Sequence, residues 1–398
     1  MFLQLDLFLL FFYSWTHFAI FLQLDSIKAR CSKTRLSKLA MPTDDHALKI
    51  KGSTIRASSR EFDTDVKGLR SMLDEWGVAV IPGVLTEEDR TMMIDGIWNA
   101  LEEMTEDTWP IKRDDPATWG HVRELFLKKG LLLQDFGIGT AEVSTKVRCL
   151  PRVIEPYEEL YQTKELLSSM DGMSVFLPKK DTKFLRDPLA KPHTDEAFNK
   201  SKKRQGRQSF QSWVTPFDVG PKEATLLVLT KSHNLHNEFG KTSGLDKEKV
   251  DKDFYELKTM SEVQWFLDRG CELVRITCPA GSQVFWNSKT FHCGLGPVGG
   301  NQSTFRMVIY TCYTPRSWAT GEDMKKRAQI FLDGGTLSHR ADIANSLSRK
   351  GNLPKRTYSE ENEEKAKKIK MAKAIDLDDL SLRGWELFSL VDRNRSLW

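Results

Sequence analysis

The sequence predicts a mainly β fold, a sandwich or barrel of short strands, with helices at both ends. Short apolar runs separated by turn residues occur between positions 173 and 313. Apolar residues at helical spacing precede this region, and a polar, helical stretch follows it. The chain has 398 residues, 40% of them hydrophobic, which is enough for a sizeable core in one large domain or two smaller ones.

The first ordered elements are predicted near residue 64. Apolar side chains recur at helical spacing over residues 66–76, which indicates an amphipathic helix. The run 78–81 follows as a short buried strand. Thr86 with Asp89 three residues later is the pattern of a helix N-cap with a reciprocal acidic partner. A second helix is therefore expected over residues 87–103.

Short β segments punctuated by Gly and Pro fill the centre of the chain. They are predicted at 173–178, 210–217, 224–230, 273–278, 282–286 and 304–313. A series of this kind is typical of an all-β sandwich or barrel. Polar stretches interrupt the series, and one of them has helical character near residues 262–267.

Composition divides the chain into four parts. They are a hydrophobic and basic leader at 1–40, a linker at 41–63, a β-rich domain at 64–320 and a helical, charged extension at 321–398. The net charge of +4 is too small to indicate a nucleic-acid or membrane partner. The six cysteines form no C-x-x-C pair and no zinc-like spacing, so we expect reduced thiols and a cytoplasmic location.

The leader leaves three alternatives open. Its apolar run at 7–22 is shorter than the roughly 20 residues that span a bilayer, and basic residues follow it. A membrane anchor and a targeting peptide are two of the alternatives. The pentapeptide Phe-Leu-Gln-Leu-Asp occurs twice, at 2–6 and 21–25, and Met41 offers a second start. These features favour a gene-model extension or a disordered leader.

Three side chains predict a metal site. His193 and Asp195 lie two residues apart, so in an extended segment they share a face. His292 lies in a second strand–loop context. Two imidazoles and one carboxylate on one face of an ion leave the opposite face open, as in non-haem Fe(II) sites that bind a cosubstrate and O2. His-x-Asp alone is most often a surface pair, but the third histidine favours the metal site.

Two further residues predict how a cosubstrate is held. Arg306 lies in a strand that is apolar on both faces, where an unpaired charge is costly. Its guanidinium matches a carboxylate through two parallel hydrogen bonds, so we expect it to anchor the distal carboxylate of 2-oxoglutarate. A structural ion pair with a neighbouring acid is the alternative. Trp213 is expected to form a pocket wall that excludes water, although an ordinary core tryptophan fits equally well.

Together these motifs resemble the phytanoyl-CoA dioxygenase family of Fe(II)- and 2-oxoglutarate-dependent oxygenases. The resemblance covers about residues 65–315. It is carried by the opening segment 77–85, the motif His193-Thr194-Asp195, the strand and turn at 226–233, and Trp213, His292 and Arg306.

This resemblance implies a double-stranded β-helix, a jelly-roll or cupin-like barrel, with iron at one mouth. It implies Fe(II), 2-oxoglutarate and O2 as cofactor and cosubstrates, and a dioxygenase reaction that releases succinate and CO2. Related halogenases lack the carboxylate, so Asp195 favours hydroxylation. It also implies that His233 is structural.

The substrate is predicted only by class. Oxygenases that demethylate DNA usually carry a second Arg six residues after the first, but Cys312 occupies that position. We therefore expect a small molecule and no nucleic acid. Residues 179–207 carry ten basic side chains against four acidic ones, which indicates either a positive rim for an anionic substrate or a solvated loop. A non-catalytic sensor of iron and 2-oxoglutarate, and an oxygenase acting on protein or nucleic acid, remain open.

Overall fold

The computed structural model describes residues 55–125, 132–178, 192–300, 302–344, 346–348 and 360–391. The predicted leader and residues 179–191 of the basic segment lie outside the described residues. Within the described ranges, no helix combines the length and the apolar character needed to cross a membrane. The five cysteines in these ranges are free, as expected.

Helices flank the β region on both sides in the sequence. The α-helices are α1 (Leu69–Trp76), α2 (Glu87–Thr105), α3 (Glu142–Arg148), α4 (Pro151–Tyr161), α5 (Ser232–Thr242), α6 (Met260–Leu267), α7 (Gly321–Leu332), α8 (Glu360–Ala366) and α9 (Leu382–Leu387).

The strands are short, as the apolar runs predict. They are β1 (Arg56–Ala57), β2 (Val78–Ile81), β3 (Leu166–Ser168), β4 (Met173–Phe176), β5 (His193–Thr194), β6 (Phe210–Val214), β7 (Thr225–Leu229), β8 (Tyr255–Glu256), β9 (Leu273–Arg275), β10 (Gln283–Asn287), β11 (His292–Leu295), β12 (Arg306–Tyr310), β13 (Tyr313–Pro315), β14 (Thr336–Leu337) and β15 (Ser346–Ser348).

Most of these strands form two sheets. The larger sheet has the order β1-β9-β7-β11-β5-β8, and the smaller has the order β2-β10-β6-β12-β4. Neighbouring strands are antiparallel except β1 and β9. The strands pair only within their own sheet, so the described strands form two open sheets and not the closed barrel of the prediction. The mixed α and β structure is nevertheless compatible with a jelly-roll core.

The two sheets share a hydrophobic core. Inward side chains of the smaller sheet, such as Trp213 and Trp286, pack in one cluster with Val228 and Val274 of the larger sheet. Side chains alternate along a strand, so the residues next to these tryptophans in the sequence point to the opposite face of the smaller sheet. Phe285 accordingly belongs to a second cluster, formed with the helices. The smaller sheet therefore packs against the larger sheet on one face and against the helices on the other.

The first elements of the fold in the sequence hold the loop that precedes His292. Helix α2 begins with the predicted capping box of Thr86 and Asp89. Helix α1 ends at Gly77, whose φ of 77° is the left-handed conformation that glycine adopts without strain. The Gly77 carbonyl accepts hydrogen bonds from the Asn287 amide at 3.0 Å and from the Thr290 hydroxyl at 2.9 Å. This close approach holds the β10–β11 turn in place.

Residues on either side of the β-rich region also pack against it. Arg56–Ala57, within the stretch predicted as a linker, pairs with β9. In the C-terminal stretch, the rings of Phe331 and Phe388 stack with centroids 4.6 Å apart. The fully buried Arg327 donates a hydrogen bond of 2.7 Å to the Ser168 carbonyl. The described part of the C-terminal stretch is therefore built into the fold.

Candidate metal centre

His193, Asp195 and His292 converge at one point. One ligand atom from each lies within 4.8 Å of the other two. The Oδ2 atom of Asp195 is 3.8 Å from His193 Nε2 and 3.4 Å from His292 Nε2. His193 in β5 and His292 in β11 are directly opposite residues of an antiparallel pair. Cross-strand register therefore brings together ligands that are far apart in the sequence.

Backbone and side-chain contacts orient two of these residues. His292 Nδ1 lies 2.8 Å from the Thr290 carbonyl, so Nδ1 carries the proton and Nε2 is available to a metal. The Asp195 amide donates to the Ser288 carbonyl at 3.0 Å. Gln211 donates from Nε2 to Asp195 Oδ2 at 3.0 Å. These partners fix His292 and Asp195 before any ion binds.

The electrostatics keep Asp195 ionised. Burial would raise the pKa of this carboxyl, but the charges of His193 and His339 and the contact with His292 outweigh it. The pKa of Asp195 is therefore held well below its usual range. A carboxylate must be deprotonated to bind a metal, so this environment suits a ligand.

The centre is enclosed on one side and open on the other. The side chain of His292 is 5% exposed and that of His193 is 25% exposed. The ring of Trp286 packs against His292 with centroids 5.2 Å apart. The exposed ring of Phe254 lies at the same distance from His193. Access to the centre is therefore from the His193 side.

Arg306 and Trp213 lie together between the sheets. The guanidinium carbon of Arg306 is 5.6 Å from the Trp213 ring centroid and 5.8 Å from that of Phe176. Burial lowers the pKa of Arg306, and its neighbours Tyr310 and Cys278 oppose that shift. Trp213 is completely buried.

Only some of the hydrogen-bond donors of the Arg306 guanidinium have partners. Within the described ranges, its Nε and Nη1 atoms have no hydrogen-bond partner, and no carboxylate pairs with it. The alternative of a structural ion pair therefore finds no support among these residues. A buried cation without a carboxylate is costly, so an anionic ligand would be stabilising here. The donor set and this guanidinium together fit Fe(II) and a dicarboxylate.

Sequence patterns missed three neighbours of the centre, namely Gln211, Trp286 and His339. Gln211 and Trp213 are two residues apart on β6, so period-two alternation could have placed Gln211 on the same face. Trp286 lies in a predicted strand and could have been found in the same way. His339 follows β14, and no local pattern connects it with Asp195.

One residue of the basic segment, Arg204, is buried and paired with carboxylates. Arg204 is 6% exposed and forms ion pairs with Asp253 at 2.5 Å and Glu196 at 3.2 Å. Lys200 pairs with the same glutamate at 3.2 Å. The loop before β8 supplies Asp253, which the sequence pattern could not assign to Arg204. Arg204 therefore fits neither of the two alternatives for this segment, a positive rim or a solvated loop.

Acid should weaken this buried network. Burial would raise the pKa of Glu196, but Lys200, Arg340 and Arg204 lower it below its ordinary value of 4.5. A carboxyl with a lowered folded-state pKa stabilises the fold above that ordinary value and loses its contribution as pH falls below it. The free energy of unfolding should therefore fall below pH 4.5. In Glu196→Gln it should be lower at pH 7 and less pH-dependent.

Urea unfolding at several pH values checks this prediction. The control is Glu103→Gln, which alters an exposed glutamate of α2 and should unfold like the parent at every pH. If Glu196→Gln kept the parent's full acid dependence, Glu196 would contribute little to acid unfolding.

A cavity of about 630 Å³ is lined by residues close in the sequence to Asp195 and His292, but by none of the three candidate ligands. Its lining includes Lys200, Lys289 and Asn287. His233 also borders it, and its Nε2 lies 3.0 Å from the Asp74 carbonyl, in keeping with a structural role. The cavity has no comparable set of metal donors, so the histidine–aspartate cluster is the better candidate site.

Comparison with known proteins gives one curated relative. No protein-family model matches the chain, so the resemblance to phytanoyl-CoA dioxygenases stays a prediction. Ava biosynthesis cluster protein O from Aspergillus versicolor is 28% identical over 213 residues, 52% of this chain. The match spans 66% of that relative, slightly less than two thirds of its length.

Solved structures show similarity in fold. A hypothetical protein of Escherichia coli, JW0805, is 13% identical, with a TM-score of 0.51 over 80% of this chain and 81% of that chain. The epimerase SnoN, solved with Fe3+, alpha ketoglutarate and nogalamycin RO, is 15% identical. Its TM-score is 0.40, over 63% of this chain and 84% of that chain. At these identities the likeness concerns the fold alone.

Proposed function

We propose that this chain is an Fe(II)- and 2-oxoglutarate-dependent dioxygenase that hydroxylates a small organic molecule. The observation that carries the proposal is the pairing of two features. A two-histidine, one-carboxylate cluster is built on strands β5 and β11 and the residue after β5, and the buried Arg306 lies between the sheets without a carboxylate among the described residues. The first feature suits Fe(II), and the second suits the distal carboxylate of 2-oxoglutarate.

The strand order supports a double-stranded β-helix as the core. Strands β4, β12, β6 and β10 are consecutive neighbours in one sheet, and β5, β11, β7 and β9 are consecutive in the other. Eight strands in two facing sheets make a jelly roll. Kinship with the phytanoyl-CoA dioxygenases is part of this proposal, on the motifs quoted above.

Each proposed role follows from a side chain's surroundings. His193, Asp195 and His292 would hold the iron, and Arg306 would bind 2-oxoglutarate. Trp213 and its packed neighbours would keep water out of the space between the sheets. When bound, iron and 2-oxoglutarate would supply the oxidising chemistry: substrate, 2-oxoglutarate and O2 become hydroxylated substrate, succinate and CO2.

The substrate is proposed to belong to natural-product biosynthesis. The name of the curated relative places that protein in a biosynthesis cluster. Cys312 is completely buried, so the position at which DNA-demethylating oxygenases usually carry a second Arg offers no cation here. Both points favour a small molecule over a nucleic acid.

Succinate formation separates an enzyme from a sensor. Purified protein with Fe(II), 2-oxoglutarate and air should convert 2-oxoglutarate into succinate slowly, and faster when a metabolite extract contains the substrate. Asp195→Ala should give only the background rate of free iron. A protein that binds both ligands but forms no succinate above that background would be a sensor.

A further inference from the structure

Three separate chain segments converge at the open side of the metal centre. Each contains a residue of this region, namely Asp195, Phe254 or His339, followed or preceded by a charged residue of one buried ion-pair network. Glu196 follows the ligand Asp195 directly, Asp253 precedes Phe254, and Arg340 follows His339.

The network is dense enough to hold these segments rigidly. Arg204 donates to both oxygens of Asp253, at 2.9 Å and 2.5 Å. Arg340 donates to both oxygens of Asp342, at 3.0 Å and 2.9 Å, and lies 3.5 Å from Asp253. Two-pronged bonds of this kind fix geometry as well as charge. Glu196 is 2% exposed and lies 3.2 Å from Arg204.

Phe254 presents an apolar face at this opening. It is 45% exposed, although large aromatic side chains are usually buried. Its ring lies 5.2 Å from the ring of His193, with a 36° angle between the planes. An exposed ring held beside a candidate ligand can stack on a planar group that approaches the metal.

His339 lies in the same region, because it adjoins Arg340, whose guanidinium is 3.5 Å from Asp253, the residue before Phe254. The charge of His339 helps to hold the pKa of Asp195 low. Its Nε2 atom is buried and has no hydrogen-bond partner among the described residues. Buried polar atoms are rarely left unpaired, so a ligand oxygen would be a stabilising partner.

The described charges of this network compensate one another. Among the described residues it has equal numbers of carboxylates and cations, the carboxylates being Glu196, Asp251, Asp253 and Asp342 and the cations Lys200, Arg204, Arg207 and Arg340. Paired charges of opposite sign leave little field to attract an anion. A neutral ligand therefore suits this surface better than a charged one.

We propose that Phe254 and His339 form the substrate-recognition surface, and that the substrate is a neutral compound with a planar aromatic ring bearing a phenol or ketone oxygen. The ring would stack on Phe254, and the oxygen would bind His339 Nε2. This inference rests on the proposed function, because it takes the candidate metal centre as the reaction site.

Three probes test the substrate class on protein loaded with Fe(II) and 2-oxoglutarate without O2. 4-Hydroxyacetophenone has the ring and both oxygens, 4-acetylcyclohexanol keeps both oxygens but lacks the aromatic ring, and 4-hydroxybenzoate carries a negative charge. Calorimetry and the absorption band of the loaded protein report binding. 4-Hydroxyacetophenone should bind saturably and roughly three- to tenfold more tightly than either other probe.

Matched variants test the two residues. Phe254→Ala and His339→Ala should each weaken 4-hydroxyacetophenone binding by roughly threefold or more, while Phe254→Trp should retain it. The controls alter an exposed leucine, Leu332→Ala, and a histidine whose Nδ1 contacts the Pro110 carbonyl, His121→Ala. Both controls should bind like the parent. Thermal unfolding identifies a variant that fails to fold, and Phe254→Leu and His339→Gln then replace it.

The outcomes separate a failure of this inference from a failure of the proposed function. A loaded protein that shows its absorption band but binds no neutral aromatic probe would overturn the inference alone. So would parent-like binding in both alanine variants, or tighter binding of the anion. A protein that forms no band with Fe(II) and 2-oxoglutarate would overturn the proposed function, and the inference with it.

Discussion

Replacing His292 by alanine is expected to lower Fe(II) affinity by more than about 100-fold, because losing even an outer-shell partner of a metal ligand costs about 10- to 100-fold. His292 is one of three donors that converge within 4.8 Å. The Thr290 carbonyl already fixes its ring, so alanine removes a preoriented ligand. Anaerobic competition with a chelator of known affinity measures the change.

His121→Ala is the matched control, because His121 contacts the Pro110 carbonyl and lies outside the cluster. Its Fe(II) affinity should equal that of the parent. Parent-like affinity in a folded His292→Ala protein would remove His292 from the ligand set.

Replacing Arg306 by leucine is expected to raise the 2-oxoglutarate concentration needed for half-saturation by tens of fold or more. Loss of a charge-assisted partner in a desolvated site costs roughly 2–5 kcal/mol. Arg306 is 5% exposed, so solvent would do little to replace it. Titration of 2-oxoglutarate into the Fe(II) protein without O2 measures the effect.

Arg306→Lys provides the graded comparison. It keeps the positive charge but loses the rigid fork, so its half-saturation should lie between those of the parent and Arg306→Leu. Fe(II) affinity should stay unchanged in both variants. Normal 2-oxoglutarate dependence in Arg306→Leu would show that another cation binds the cosubstrate.

Local patterns predicted those parts of the fold that depend on local chemistry. Apolar runs located strands such as β6, β7 and β10, and the Thr86–Asp89 pair located the start of α2. The first helix begins at Leu69, later than predicted, because the Asp65 carboxylate accepts the Gly68 amide in a turn before it. Periodicity could not decide between a closed barrel and two open sheets, since both have the same alternation.

The site was predictable only where its residues stand in recognisable motifs. His193 and Asp195 share a segment, and His292 lies opposite His193 through sheet register. His339 and the carboxylate partners of Arg204 could not be found in this way. Their contacts join segments that are distant in the sequence, and the packing of the whole chain determines which bases are neutralised.

Absorption spectroscopy of the parent protein tests the central claim most directly. Fe(II) and then 2-oxoglutarate are added without O2 to protein whose metal has been removed. We expect a visible charge-transfer band that needs both additions and saturates at one 2-oxoglutarate per chain. Folded, Fe(II)-bound protein that gives no such band at saturating 2-oxoglutarate would contradict the proposed function.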